Sequence, residues 1–456
     1  MSGSWRLGDL AGPKSPTHTG LNGADPRSHL IARAAAALQS SQAADSEARL
    51  IWVPGRIEVA GKHTDYAGGR SLVAPTNQGI VMVAVPRVDR RILVVDVAEG
   101  SSFEFPLQAQ PVTVHEGWHN YFATAACRLA KNFPDLSLGA SISFASNLPI
   151  AAGLSSSSAL IVGTFLALAS VNCLTDREDY RSTTPDLETL AGYLGAMENG
   201  YSFGALEGTR GVGTFGGSED HTAILCGQPA KVVQYSYSPV RFERSIPLPR
   251  DLVFTVATSG VQAEKTGSNR ADYNRLSLQS LEVARLWRQG TGSDLPDLGS
   301  ILAADRDAVR RFPELLEHAG SVAFPSGQLR QRFEHFEQEN QVIVPNAGTA
   351  LAEGDIEQFG EWIDRSMHLA ESLLGNQVPE TSFLAAKARQ LGAVAASAFG
   401  AGFGGAVWAL VTRDEAEKFK LHFKESYLEA FPQHRESATF FLTDAGPPAM
   451  EIAPEP

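Results

Sequence analysis

The stretch GRIEVAGKHTDYAGG, Gly55 to Gly69, sets an arginine, a glutamate, a lysine, a histidine, an aspartate and a tyrosine in one loop framed by glycines. Both signs of charge on a backbone that can turn tightly suit a polar ligand approached closely by the main chain. The stretch is not a Walker A loop. Its glycine spacing is wrong, and His63 stands where a serine or threonine would meet magnesium.

Around this loop lies a chain of 456 residues, too long for one ordinary core, and length alone predicts two or three domains. A formal net charge of -13, with no offsetting Lys/Arg cluster, gives no motive for a nucleic-acid partner. Cys127, Cys173 and Cys226 are too widely spaced for a disulfide framework or a zinc site, which suits a reducing cytoplasm. The N-terminus lacks an apolar signal core, and the longest apolar run, around Ile161 to Ala169, is too short to span a bilayer. No membrane partner is expected.

Residues 1–25 are Gly/Pro/Ser-rich and read as a flexible segment, and 447–456 as a loose tail. Between them, 26–250 reads as a strand-dominated N-terminal domain, with strands expected at LIWVP, GIVMVAVP, ILVVDV, SFEFPL and LGASISFAS. From 251 to 446 the pattern changes. A helix-rich segment from Asn269 to about Leu391 is followed by strand, Gly-rich turn, strand, helix and strand.

Two further motifs fail on context. HEGWH, His115 to His119, has zinc-helix spacing but contains a glycine, sits at the start of a helix, and no glutamate follows before Glu178. GAGFGG, Gly400 to Gly405, fits a dinucleotide turn, yet the chain continues as a strand where a helix must open.

NLPIAAGLSSSSAL is different. A small-residue turn, Ala151 to Gly153, leads into four serines opening a helix that is apolar nearly all round. A helix start offers free N–H groups and the positive dipole end, a cradle for polyphosphate; a serine-rich N-cap with no ligand fits the segment equally well.

Together these motifs resemble the GHMP family of small-molecule kinases and, within it, the galactokinases. The opening loop is similar to the signature GRxNxxGEHxDYxGG, LPIAAGLSSSSAL to the ATP-phosphate motif, and FGAGFGGAVWAL to the third motif. WHNY, Trp118 to Tyr121, is similar to WxNY, and SGVQAEKTGSNRADYNR to a segment that carries a sugar-contacting tyrosine. The likeness runs from about residue 50 to 410.

The resemblance implies an α+β fold of two domains, an N-terminal mixed sheet with helices and a C-terminal ferredoxin-like layer. It implies ATP-dependent phosphorylation of a monosaccharide, galactose to galactose 1-phosphate, with ATP and Mg2+ as cofactors, in a monomer or weak dimer. His63, Asp65, Gly217 and Tyr273 carry over as sugar contacts, and Lys62 takes a sugar-contacting position. Hydroxyls, each donor and acceptor, suit carboxylates and imidazoles. Asp220, in GGSEDHTAIL, becomes the base, and Arg56 the cation poised near the transferring phosphoryl. Gly153, Leu154, Ser155, Ser156, Ser157 and Ser158 become the phosphate cradle. Ser157 and Glu198 become the metal ligands, and Trp118 a neighbour of adenine or a core aromatic.

Three departures bear on specificity. Lys62 replaces the family's glutamate and Glu58 its asparagine, so the lysine either greets a carboxylate on a uronic acid such as galacturonate or pairs with Glu58. A longer Gly-rich loop between Glu198 and Asp220 forms a lid or a passive surface loop. A non-catalytic sugar sensor on the same scaffold is the alternative of another class.

Overall fold

The computed structural model describes residues 3–12, 27–110, 117–149, 153–263, 270–318 and 321–454. Thirteen strands are described: β1 (Trp5–Arg6), β2 (Glu47–Ala60), β3 (Arg70–Arg87), β4 (Arg91–Asp96), β5 (Ser102–Pro106), β6 (Gly139–Ser146), β7 (Lys231–Ser236), β8 (Arg241–Pro247), β9 (Leu252–Thr258), β10 (Ala395–Phe399), β11 (Ala406–Thr412), β12 (Phe440–Thr443) and β13 (Met450–Glu451).

Among these residues the larger sheet has nine strands, along a path β1-β2-β3-β6-β4-β5, with β13 on β2 and β7 on β3 carrying β8. The β4–β6 pair is parallel and the other pairs antiparallel, so the sheet is mixed as expected. A second, four-stranded antiparallel sheet runs β10-β11-β9-β12. Helices Pro379–Gln390 and Ala416–Ala430 pack on it, which gives the C-terminal α+β layer. The intervening segment is helical from Arg270 to Gln390, as the sequence pattern predicts.

Local chemistry explains these elements. β2 and β3 are rich in buried Ile, Val and Leu, form the longest hairpin, and cover one face with helix Ser156–Val171. That helix is buried almost all round, Leu160, Ile161, Val162 and Phe165 among its core residues, which accounts for its lack of a polar stripe. Helix Leu187–Asn199 starts on an Asp186 cap that accepts from the Thr189 amide at 2.7 Å, and ends on Gly200. No helix among the described residues is long and apolar enough to cross a membrane.

Three expectations need correction. GRIEVA is not loop but the end of β2, bulged between Pro54 and Arg56 and again between Glu58 and Ala60, and only the residues from Gly61 turn. Alternation places Ile57 and Val59 in the core and sends Arg56 and Glu58 to the other face. The N-terminal segment is anchored where described: β1 pairs β2, and Leu7 and Leu10 are fully buried with Leu30 and Trp52. Residues 13–26 lie outside the described residues. Nor is the tail loose, since Met450 and Glu451 pair with Trp52 and Ile51, and the Trp5 indole donates to Ile452 O at 2.6 Å. Gly/Pro content hid both contacts because an edge strand of two residues leaves no periodicity to read.

Candidate active site

The structure gathers Arg56, His63, Asp65, Ser158, Glu198, Gly217, Asp220 and Tyr273 around one polar pocket between the two sheets. Arg56 comes from β2 and Asp220 from helix Glu219–Cys226. Arg56 donates to Asp220 Oδ1 from Nε at 2.8 Å and lies 2.6 Å from it through a second nitrogen, while a third donates to Gly153 O at 2.5 Å. Burial opposes the guanidinium charge, but Asp220, Glu219 and Glu58 outweigh it and hold the arginine charged. Ser158, in the first turn of the serine helix, donates to Asp220 Oδ2 at 3.3 Å.

The turn after β2 forms the opposite wall. Gly61, at φ 105°, lies so close to the chain at Arg70 and Ser71 that a Cβ would come within 2.5 Å of both. Its amide donates to Glu339 Oε1 at 2.7 Å, which fixes the turn from the C-terminal half. His63 Nε2 donates to Ala401 O at 3.0 Å, and Nδ1 lies 2.8 Å from the Tyr66 hydroxyl. Arg332 donates to His63 O and to the Tyr66 hydroxyl, closing this network. The Tyr66 phenol is pushed up, chiefly by burial.

Asp65 joins this wall to the helix that carries Asp220. Its Oδ2 accepts from the Glu219 amide at 3.1 Å, so the loop aspartate caps the helix that carries Asp220. Gly217 packs against it: a Cβ there would lie 2.4 Å from Asp65 Oδ2. Asn199 positions the same strip, accepting from Gly216 N at 2.7 Å and Thr214 Oγ1 at 3.1 Å. Sequence reasoning missed Asn199, although it adjoins Glu198 in the GAMENGY stretch.

Not every expected residue lines the pocket. Lys62 is 1% exposed, with Nζ 3.4 Å from Ser366 Oγ and 3.9 Å from Glu58, behind the site rather than in it. Of the two expectations for Lys62, the pairing with Glu58 is the one the structure contains, and Lys62 is not among the residues lining the described pocket. A buried ammonium needs a counter-charge more than a ligand. Glu58, by contrast, faces the pocket.

Ser155 sits at φ 60° with no side-chain cap bond, and its buried Oγ has no hydrogen-bond partner. The serine N-cap is thus not formed among the described residues, and Ser156 and Ser157 begin the helix half-buried. Leu154 O accepts from Arg56 N at 3.3 Å; Ala151 lies outside the described residues. Glu198, 4% exposed, lies 3.0 Å from His221 Nε2, another residue that sequence reasoning passed over. Trp118 stacks on His119 at 3.9 Å and meets Phe122 and Phe144 edge-on.

The long glycine-rich loop is tied down. Arg128 donates to Tyr201 O at 2.8 Å, Lys131 to Gly208 O at 2.9 Å, and Phe215 N to Asn274 Oδ1 at 2.9 Å. Such anchoring suits a fixed wall better than a lid. The HEGWH histidine His115 lies outside the described residues, and no group of three or more metal-ligating side chains occurs among the described ones.

Three family profiles match this chain: the galactokinase galactose-binding signature over residues 41–86, the GHMP kinases N-terminal domain over 120–204 and the GHMP kinases C-terminal domain over 349–428. All three reach the pocket, the first through Arg56, the second through Ser158 and Glu198, and the third through Gly400 and Ala401 in the turn between β10 and β11. Both GHMP kinase domains are thus matched in this chain. The chain is 26% identical to the galactokinase of Lactobacillus helveticus over 83% of this chain and 89% of that one. It is 27% identical to the galactokinase of Thermotoga maritima over 83% of this chain and 93% of that one. In fold it is similar to the galactokinase of Lactococcus lactis solved with galactose, with a TM-score of 0.72 and 24% identity over 89% of this chain and 95% of that one.

Proposed function

We propose that this protein transfers the γ-phosphoryl group of ATP to a hydroxyl of a monosaccharide, galactose first, forming galactose 1-phosphate. The carrying observation is the fork of Arg56 on Asp220 at 2.6 Å in a pocket walled by His63, Asp65 and Tyr273. Asp220 accepts the proton of the attacking hydroxyl, and Arg56 holds that carboxylate ionised and oriented. Because Arg56 also donates to Gly153 O, it stands between the acceptor and the start of the serine helix. The free amides of that helix start, left uncapped by Ser155, hold the nucleotide phosphates.

Asp65 meets a sugar hydroxyl, while the His63 ring, its nitrogens engaged with Ala401 O and the Tyr66 hydroxyl, lies 5.8 Å from the Tyr273 ring and closes the wall. The oxygen donors at hand, the buried Glu198 carboxylate and the half-buried Ser157 hydroxyl, fit a magnesium ion that takes most of its remaining ligands from phosphates and water. Held there, the ion would offset the charge of the phosphates.

A galacturonate acceptor gains no support from Lys62. Glu58, Asp65, Glu198, Glu219 and Asp220 line the pocket against the lone guanidinium of Arg56, a field that suits a neutral sugar. The deciding experiment is ADP release across a sugar panel containing galactose and galacturonate. Turnover on galactose with little on galacturonate is expected. Galactose binding without ADP release would instead identify a sensor.

A further inference from the structure

One side chain in the pocket has no part in the reading above. His221 follows Asp220 on helix Glu219–Cys226, is 2% exposed and lines the pocket. Its Nε2 stands 3.0 Å from Oε2 of Glu198, which helix Leu187–Asn199, packed against its own, carries into the same pocket. The two atoms are in contact without a hydrogen bond, since neither ring nitrogen of His221 has a hydrogen-bond partner among the described residues. A buried imidazole with both nitrogens unmet is costly, and a native protein keeps such a group where an ion, a water or a substrate completes it.

The spacing separates these cases. A hydrogen bond needs the ring N–H aimed at the carboxylate, and at 3.0 Å that alignment is missing. Neighbouring ligands of one ion meet the opposite requirement, because each lone pair aims at the ion and past the other ligand. Donors about 2.1 Å from a metal and at a right angle around it stand about 3.0 Å apart. The nitrogen of His221 and the oxygen of Glu198 keep that separation.

We propose that His221 Nε2 is a ligand, beside Glu198, of the divalent ion that accompanies the nucleotide, and that it turns the preference of the site from magnesium toward a first-row transition ion. Magnesium takes its ligands from carboxylates, phosphates and water, whereas imidazole nitrogen suits transition ions. An all-oxygen site would give the same helix position a side chain with an oxygen to offer. Two protein donors suffice here, because phosphates and water fill the remaining positions around such an ion.

The placement of a metal at Glu198 comes from the sugar-kinase reading, on which this ligand assignment rests. Its test uses Co2+ with a non-hydrolysable ATP analogue on the native protein, Glu198→Gln and His221→Gln, and needs no turnover. Proton spectra of the native complex in water should show a hyperfine-shifted ring N–H signal, the mark of an imidazole ligand, that vanishes in heavy water. The pocket's other histidine, His63, has its nitrogens engaged with Ala401 O and the Tyr66 hydroxyl, so the signal reports His221.

His221→Gln should lose that signal and keep Co2+ at Glu198, with about tenfold less magnesium needed to displace it. A native complex whose Co2+ depends on Glu198 but shows no shifted N–H signal overturns the assignment, whether or not His221→Gln folds. Unchanged competition by magnesium in His221→Gln overturns the preference. Co2+ binding that Glu198→Gln leaves intact would instead defeat the metal placement of the kinase reading, and the His221 assignment with it.

Discussion

Arg56 and Asp220, separated by 164 residues in sequence, meet at 2.6 Å where the end of β2 faces the first turn of helix Glu219–Cys226. This contact aims the carboxylate and sets a cation beside it, an arrangement that favours a base for a sugar hydroxyl. Asp220→Asn keeps the shape and removes the basicity. The expected result is a fall in kcat of about 10³-fold with galactose binding retained by calorimetry; unchanged turnover would take Asp220 out of the base role.

Arg56→Lys tests the fork. An ammonium cannot span Asp220 Oδ1 and Gly153 O as the guanidinium does. A loss on the order of 10²-fold or more in kcat is expected, with a smaller change in sugar affinity. Steady-state kinetics beside sugar titration would separate the two.

Lys62→Glu replaces a buried cation beside Glu58 with an anion near Glu339 as well. Loss of one member of a buried pair costs about 3–5 kcal/mol, which denaturant unfolding would register. Because Lys62 lies behind the pocket, the ratio of rates on galactose and galacturonate stays the same in whatever fraction remains folded. A reversed preference would return Lys62 to the sugar site.

Gly217→Ala puts a methyl group 2.4 Å from Asp65 Oδ2 and 2.7 Å from the Tyr66 amide. Both belong to the rigid wall, so the strip Gly216–Gly217 must move. A KM for sugar raised about tenfold or more is expected, since small misplacements of this kind cost that much or more. An unaltered KM would show that the strip does not define the sugar site.

Glu219 also shapes stability against pH. Its carboxyl is raised in the folded protein, so its contribution is fully present below the ordinary carboxyl range and is lost as pH rises toward the raised value. Glu219→Gln removes that dependence. Its Tm relative to the native protein should therefore climb from pH 4 to pH 8, and a constant difference would contradict the burial effect.

Much of this was legible before any coordinates. The β10, glycine turn, β11, helix, β12 run follows from alternation and helical period, and the serine helix from its unbroken apolar content. The pairing of Arg56 with Asp220 was legible only through motif likeness, because no local rule ties residue 56 to residue 220. Glu339 and Arg332 were not legible. They act through hydrogen bonds to Gly61 and His63, 278 and 269 residues away, and leave no spacing to read. Lys62 shows the converse: its charge was visible, but its direction depended on Ser366, a neighbour from the far end of the chain.

β13 completes the edge of β2 beside β1, with Met450 on Trp52 and Glu451 on Ile51. A growing polypeptide therefore emerges with the strand that bears Arg56 covered by β1 at Glu47 and Ala48, while Ile51 and Trp52 on the same edge wait for residues 450 and 451 to be added. Translation halted shortly before that point would release a molecule whose pocket residues are all present but whose largest sheet remains open to pairing with a neighbour.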